Sequence, residues 1–281
     1  MSMRKLLPFL LVTFLGTFAS IQAKDRPVVP LIQAHAHNDY LHKRPLLDAL
    51  DHGFCSVEAD IHLADGQLLV AHDRGEMKPG RTLQALYLEP LRARVKQNGG
   101  KVYPNGPEFT LLIDIKGDWE TTYPVLREVL KQYADMLSSY QAGKKETRAV
   151  AVVISGNRSK AMFADESVRY AALDGNLDDL NAGEPADLMP WISTNWERSF
   201  RWRGSGDLSG PEKIKLRDLV TQAHQHGQRL RFWGAPDEPK FWKEMLANGV
   251  DLINSDDLPG LEKFLIKAGA TATSPAPAPA R

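Results

Sequence analysis

The chain has a single cysteine, Cys55, so no disulfide can form within it and stability must come from a packed core. It has no excess of either charge, with 35 Lys and Arg against 35 Asp and Glu. A balanced chain lacks the broad electrostatic reason to bind nucleic acid. It has no run of the about 20 apolar residues that a membrane span needs. It shows no internal repeat with a period of about 20–50 residues. No histidine lies between His72 and His224, a gap that narrows the metal chemistry open to it.

What is present begins with a leader. Arg4 and Lys5 precede a 13-residue apolar stretch at 6–18, followed by the small Ala19 and Ala23. This is the layout of a secretory signal peptide over residues 1–23, and it predicts a secreted or periplasmic protein. Its removal shifts the balance from 35 against 35 to 33 basic against 35 acidic residues. At the other end, residues 269–281 alternate Pro with Ala and carry nothing to bury, so an extended, mobile tail is expected. The body between, residues 24–268, has the makings of an ordinary globular fold, since the chain is 43% hydrophobic and 25% charged.

Within that body strand-like runs alternate with amphipathic stretches. Strands are expected at 29–36, 54–61, 67–71, 109–115, 149–154, 169–173, 189–193, 229–233 and 251–254. The clearest helices are 82–97, 120–140, 211–226 and 238–247. Gly227 and Gly249 fall where helices end. Alternation of this kind implies a mostly parallel sheet. About eight such units predict an α/β fold, a single closed (β/α)8 TIM-type barrel. Asp65-Gly66 reads as the turn of a small hairpin inserted after the second strand.

The chemistry is concentrated at strand ends. Glu58 and Asp60 lie one step apart in the run 54–63, alternating with Val57, Ala59 and Ile61. A period of two puts both carboxylates on one face. Two buried carboxylates so placed repel by about 4 kcal/mol at an effective dielectric near 20, so a compensating cation is expected. Asp114 and Lys116 repeat the pattern, as do His35 and His37, and His72 ends a further apolar run. In a barrel, catalytic groups project from the C-terminal ends of strands, where all of these fall. Glu58, Asp60 and Asp114 form an oxygen-only set that suits one hard divalent cation, Mg2+ or Ca2+, better than zinc. The histidines are then free for proton transfer, and Lys116 adds a fixed positive charge. A cation, a lysine and two histidines around one cleft fit a phosphodiester: the metal and lysine hold its charged oxygens while one histidine attacks or deprotonates and the other protonates the leaving group.

A family resemblance rests on the same residues. Residues 33–40 (QAHAHNDY), Ala49 to Gly53, Glu58-Ala-Asp60 and His72-Asp73 resemble the opening of the glycerophosphodiester phosphodiesterases and their phosphatidylinositol-specific phospholipase C-like relatives. Asp114-Ile-Lys116 is similar to the acid-x-lysine element of the sphingomyelinase D-type toxins in that superfamily. The stretch 231–258, with Trp233 and Gly249-Val-Asp251, resembles the family's seventh and eighth units. The usual His-Arg-Gly is replaced by His35-Ala-His37-Asn-Asp-Tyr, and the Glu-Asn-Thr element is missing. The resemblance implies a phosphoric diester hydrolase acting on glycerophosphodiester- or phospholipid-type substrates, with one divalent cation on Glu58, Asp60 and Asp114. It makes His37, by its spacing to Gly53, the first catalytic histidine, with His35 as the alternative. His72 is the second, and Lys116 assists.

Trp233, Asn157, Arg158 and Asn254 are strand-end candidates for the substrate pocket, with Asp174 and Asp256 beside them. His42, His52, His62, His224 and His226 read as surface, structural or helix-end residues, and Cys55 as a buried structural thiol. The expected partner is a small-molecule or lipid phosphodiester; contact with a membrane surface is left open, and no protein partner is implied. Two other functions compete. A barrel could bind phosphoesters without turnover. A zinc amidohydrolase also begins with His-x-His, but it needs further histidines where this chain has its gap.

Overall fold

The period-two alternation is realised in three dimensions as two faces of a curved sheet. The computed structural model describes residues 28–270; the expected leader and residues 271–281 lie outside the described residues. In chain order the strands are β1 (Leu31–Ala36), β2 (Phe54–Ala64), β3 (Gln67–Val70), β4 (Phe109–Ile115), β5 (Ser139–Gln141) and β6 (Lys144–Glu146). They continue with β7 (Val150–Gly156), β8 (Ala172–Gly175), β9 (Trp191–Asn195), β10 (Arg229–Trp233) and β11 (Leu252–Ser255). The helices are α1 (Leu47–Asp51), α2 (Glu89–Gln97), α3 (Trp119–Lys131), α4 (Leu177–Ala182), α5 (Trp196–Ser199), α6 (Gly210–Gln225), α7 (Pro239–Ala247) and α8 (Leu258–Lys267).

Parallel pairing runs from β1 through β2, β4, β7, β8, β9, β10 and β11 and returns from β11 to β1. This closes the eight-stranded barrel that the alternation predicts. β3 pairs antiparallel with β2 through the Asp65-Gly66 turn, with Ile61 opposite Val70, so the inserted hairpin is also present. On the outer face Val57, Ala59 and Ile61 are fully buried against the helices. Val57 and Ile61 each contribute about 1.5–3 kcal/mol by their burial and Ala59 less, which fixes the register and turns Glu58 and Asp60 into the barrel. Inside, Leu112, Val153, Trp191 and Leu252 pack into a small apolar plug beneath the polar layer.

Gly53 shows why α1 must end as it does. It has φ of +78°, and a Cβ there would lie 2.1 Å from the carbonyl oxygen of Val29. Only glycine lets β2 start this close to the chain entering β1, where Leu31 N donates to Gly53 O at 2.7 Å.

Two expectations are corrected. The helix read over 120–140 stops at Lys131, and Ser139–Gln141 becomes strand β5. Leu137 bridges to Val150 and Tyr140 to Arg169, so strand partners override the helical pattern. Between β7 and β8 there is only the short 3-10 turn Lys160–Phe163, which leaves the barrel without a helix at that position. The strand expected at 169–173 accordingly shifts to Ala172–Gly175, because Arg169 is taken up by Tyr140.

Candidate active site

Register brings the acids to one level. Asp60 on β2 lies beside Asp114 on β4, which lies beside Ser155 on β7. Glu58, one inward step below, is nearly buried, and Asp60 is fully so. Each of Glu58, Asp60 and Asp114 offers a carboxylate oxygen, and these oxygens lie within 4.8 Å of one another. Oxygens opposite each other on one Ca2+ are about 4.6–5.2 Å apart, so a single ion can touch all three.

Asp60 carries the crowding. Its Oδ2 accepts from Tyr40 Oη at 2.7 Å and lies 2.9 Å from His72 Nδ1 and 3.0 Å from Lys116 Nζ. Its Oδ1 is buried with no protein partner. Burial and the charges of Glu58 and Asp114 push its carboxyl above the usual range, with Lys116 and Tyr40 offsetting part of that. An added cation relieves both the orphaned oxygen and the like-charge repulsion. The donor set and the geometry therefore fit a divalent ion.

Lys116 spans Asp60 and Asp114, at 3.0 and 3.2 Å. Burial lowers its tendency to hold a proton, but the two carboxylates outweigh it and push the ammonium pKa up. Glu58 faces a different cation: Arg231 Nη1 lies 3.3 Å from its Oε2. Burial disfavours the Glu58 carboxylate, yet the charges of Arg231 and His37 outweigh it and hold the carboxyl well below the usual range.

The two histidines of strand one part company. His35 is fully buried, with Nδ1 2.6 Å from Ser56 Oγ and its ring edge-on to Trp191. Burial, reinforced by Arg231, lowers its pKa to about 4. His37 sits at the rim, 3.1 Å from Asp256, with its side chain 30% exposed. Burial lowers its pKa, but the Asp256 hydrogen bond and the Glu58 charge outweigh this and raise it. His72 is anchored by Nδ1 on Asp60 while its ring is 55% exposed.

The segment that departs from the family pattern has a job of its own. Asn38 is left-handed, and its amide contacts His37 while its Oδ1 lies 2.9 Å from Tyr40 Oη. Asp39 is buried and accepts from Leu46 N at 2.5 Å and Tyr87 Oη at 2.9 Å. The loop after β1 is thus bolted to the barrel on both sides of the acids.

Among the other expected residues, Trp233 lies at the end of β10 and is 39% exposed at the mouth. Asn254 is level with His35 in register, and its amide atoms are buried without protein partners. Asn157 and Arg158 follow β7; Arg158 bonds to Gly156 O, and its charge acts on Asp174. His62 donates from Nε2 to the backbone carbonyl oxygen of His72 at 3.0 Å, so its role is structural. His224 pairs with Asp251 at the opposite end of the barrel, ahead of β11. Cys55 is buried, its thiol pushed up to about 12 by burial.

Sequence reasoning missed Arg231 and Tyr40. The signal for Arg231 was there: Arg229, Arg231 and Trp233 alternate with Leu230 and Phe232, the same period of two that exposed the acids.

Comparison with known proteins places this geometry. A model of the AIM6-like phosphodiesterase domain matches residues 23–174. The chain belongs to the AIM6-like phosphodiesterase family. Altered inheritance of mitochondria protein 6 of Eremothecium gossypii is 32% identical over 287 residues, covering 88% of this chain and 72% of that protein. The protein of the same name from Saccharomyces cerevisiae strain RM11-1a is 30% identical, covering 85% and 72%. Two solved structures share the fold of this AIM6-like chain. Glycerophosphodiester phosphodiesterase of Agrobacterium tumefaciens C58 superposes with a TM-score of 0.50 at 16% identity, covering 83% of this chain and 99% of that one. A calcium-dependent phosphoinositol-specific phospholipase C from Pseudomonas gives 0.54 at 14%, covering 83% and 91%.

Proposed function

We propose that this AIM6-like domain is a secreted or periplasmic, metal-dependent phosphodiesterase acting on glycerophosphodiester- or phospholipid-type substrates. The observation that carries the reading is the convergence of Glu58, Asp60 and Asp114 around the orphaned Asp60 Oδ1, with a lysine and two reachable histidines at the rim. Glu58, Asp60 and Asp114 hold one Mg2+ or Ca2+, which supplies charge neutralisation to the phosphoryl oxygens when bound.

The chain's own residues do the rest. Lys116 offers an ammonium at the rim for a non-bridging oxygen. Of His37 and His72, one takes the proton of the attacking hydroxyl as its oxygen bonds to phosphorus. The other gives a proton to the alkoxide as the second P–O bond breaks, so the proton count balances over the step. Asp256 orients His37, and Asp60 with Tyr40 orients His72. Trp233, Arg158 and Asn157 lie at the strand ends and take the substrate's alcohol portions and phosphate, while Asn254, its amide buried level with His35, lies beneath them. The zinc alternative finds no support here, because His224 is engaged with Asp251 away from the acids.

Turnover of bis(p-nitrophenyl) phosphate by the full chain, with Mg2+, with Ca2+ and with EDTA, tests the reading. Release of p-nitrophenol that requires the metal supports it. Binding of phosphodiesters without release under every metal condition would leave only a binding barrel.

A further inference from the structure

Arg231 is buried in the barrel interior, and the guanidinium reaches four other strands. Its Nε donates to Ser193 Oγ on β9 at 2.9 Å, and Nη2 lies 3.4 Å from Asp174 Oδ2 on β8. Ser193 Oγ in turn donates to Asp174 Oδ1 at 2.7 Å, so this wall is closed on itself. On the other side Nη1 lies 3.0 Å from His35 Nε2 on β1 and 3.3 Å from Glu58 Oε2 on β2. The fork of a guanidinium is planar and fixed, so anchoring two of its nitrogens on β8 and β9 sets where the third points.

That third nitrogen meets an ambiguity. His35 Nε2 is 3.0 Å from Arg231 Nη1 and 3.4 Å from Glu58 Oε2. A guanidinium only donates and an ionised carboxylate only accepts, so one ring nitrogen cannot satisfy both. The shorter contact decides. With a bare lone pair on Nε2, Arg231 Nη1–H is shared between His35 and Glu58. The ring proton then sits on Nδ1, where Ser56 Oγ waits at 2.6 Å. With the proton on Nε2 instead, two N–H groups would point at each other in a buried site, and the Ser56 hydroxyl would have to donate to Nδ1.

We infer that Arg231 is a positioning residue that locks His35 as the Nδ1–H tautomer and holds the Glu58 carboxylate facing the acid cluster. Both ring nitrogens of His35 are then engaged, and proton transfer is left to His37 and His72. This rests on the phosphodiesterase reading for its consequence but not for its structural content.

Long-range 1H–15N correlation of the histidine rings in the full chain tests it, with His35 assigned by the signal lost in His35→Gln. The wild type should show Nδ1–H and a bare Nε2 for His35. In Arg231→Met the only remaining partner of Nε2 is Glu58, and the proton should move to Nε2. Arg231→Lys keeps a donor near Nε2 and should restore the Nδ1–H pattern. If Arg231→Met fails to fold, Ser193→Ala, which frees Nε of the fork, should broaden or partly shift the same signal. A wild-type His35 carrying its proton on Nε2, or a His35 pattern unmoved in both Arg231→Met and Ser193→Ala, would overturn the inference. If the ring shifts as expected but no variant, wild type included, cleaves a phosphodiester, the inference stands and the functional reading falls.

Discussion

Replacing Asp39 by Asn should remove a pH-dependent loss of stability that the wild type carries. Asp39 is fully buried, its Oδ1 has no protein partner, and its Oδ2 accepts from Leu46 N and Tyr87 Oη. Burial raises its pKa from 3.8 to about 7, the two hydrogen bonds only partly offsetting it. An acid whose pKa is higher in the folded than in the unfolded state is a group the unfolded chain ionises first. Folding is therefore disfavoured progressively as pH rises from about 4 to 7, and by a constant amount above that. A shift of about three units corresponds to about 4 kcal/mol, an upper bound because local relaxation shares the strain. Asparagine keeps an acceptor for Leu46 and Tyr87 but never ionises. Its unpartnered amide introduces an offset of about 1–3 kcal/mol that does not vary with pH. The readout is thus the difference in unfolding free energy between Asp39→Asn and wild type, by urea titration at pH 4 and pH 8. The variant should gain several kcal/mol on the wild type between those pH values. A difference that is flat with pH, or that moves against the variant, would refute the burial argument.

Three further outcomes follow from the site. Gly156 has φ of +73° and a Cβ there would lie 2.4 Å from Asp114 Oδ1, so Gly156→Ala should displace Asp114 and weaken divalent binding at least tenfold by calorimetry while circular dichroism stays unchanged. His72→Asn and His37→Asn should each lower kcat on phosphodiesters by a factor on the order of 10^2 to 10^4, the usual worth of a positioned acid or base, and a fully active His72→Asn would end the two-histidine scheme. The rate should follow a bell in pH; because the Asp256 contact raises the pKa of His37, Asp256→Asn should shift the limb that His37 sets, rising if it is the base and falling if it is the acid, to lower pH, and an unmoved profile would remove His37 from the proton chemistry.

The barrel was legible because its outer face is regular. Val57, Ala59 and Ile61 alternate without interruption, and once they face the helices Glu58 and Asp60 have one place to go. The same parity reveals Asp114 and its neighbour Lys116. What stayed hidden depended on contacts distant in sequence. Arg231 acquires meaning only when closure brings β10 within reach of β1 and β2, 173 positions from Glu58. Tyr40 lies in an irregular loop with no period to read, and its place follows from Asn38 adopting a left-handed turn. Helix α3 was read too long because Tyr133, Met136 and Leu137 are buried much as a continuing helix would bury them. The competing strand partners, Val150 and Arg169, could not be seen from local pattern. The strand-one histidines share a face by parity, and only burial separates the enclosed His35 from His37 at the rim.

The most direct test of the account is a calorimetric titration of the metal-stripped full chain with Ca2+ and with Mg2+, run beside Glu58→Gln and followed by a turnover assay on the same samples. The account predicts one divalent cation per wild-type chain, phosphodiester cleavage that appears with that occupancy, and loss of both in a folded Glu58→Gln. Cleavage by the stripped wild type in the presence of EDTA, or an unchanged cation affinity in Glu58→Gln, would contradict it.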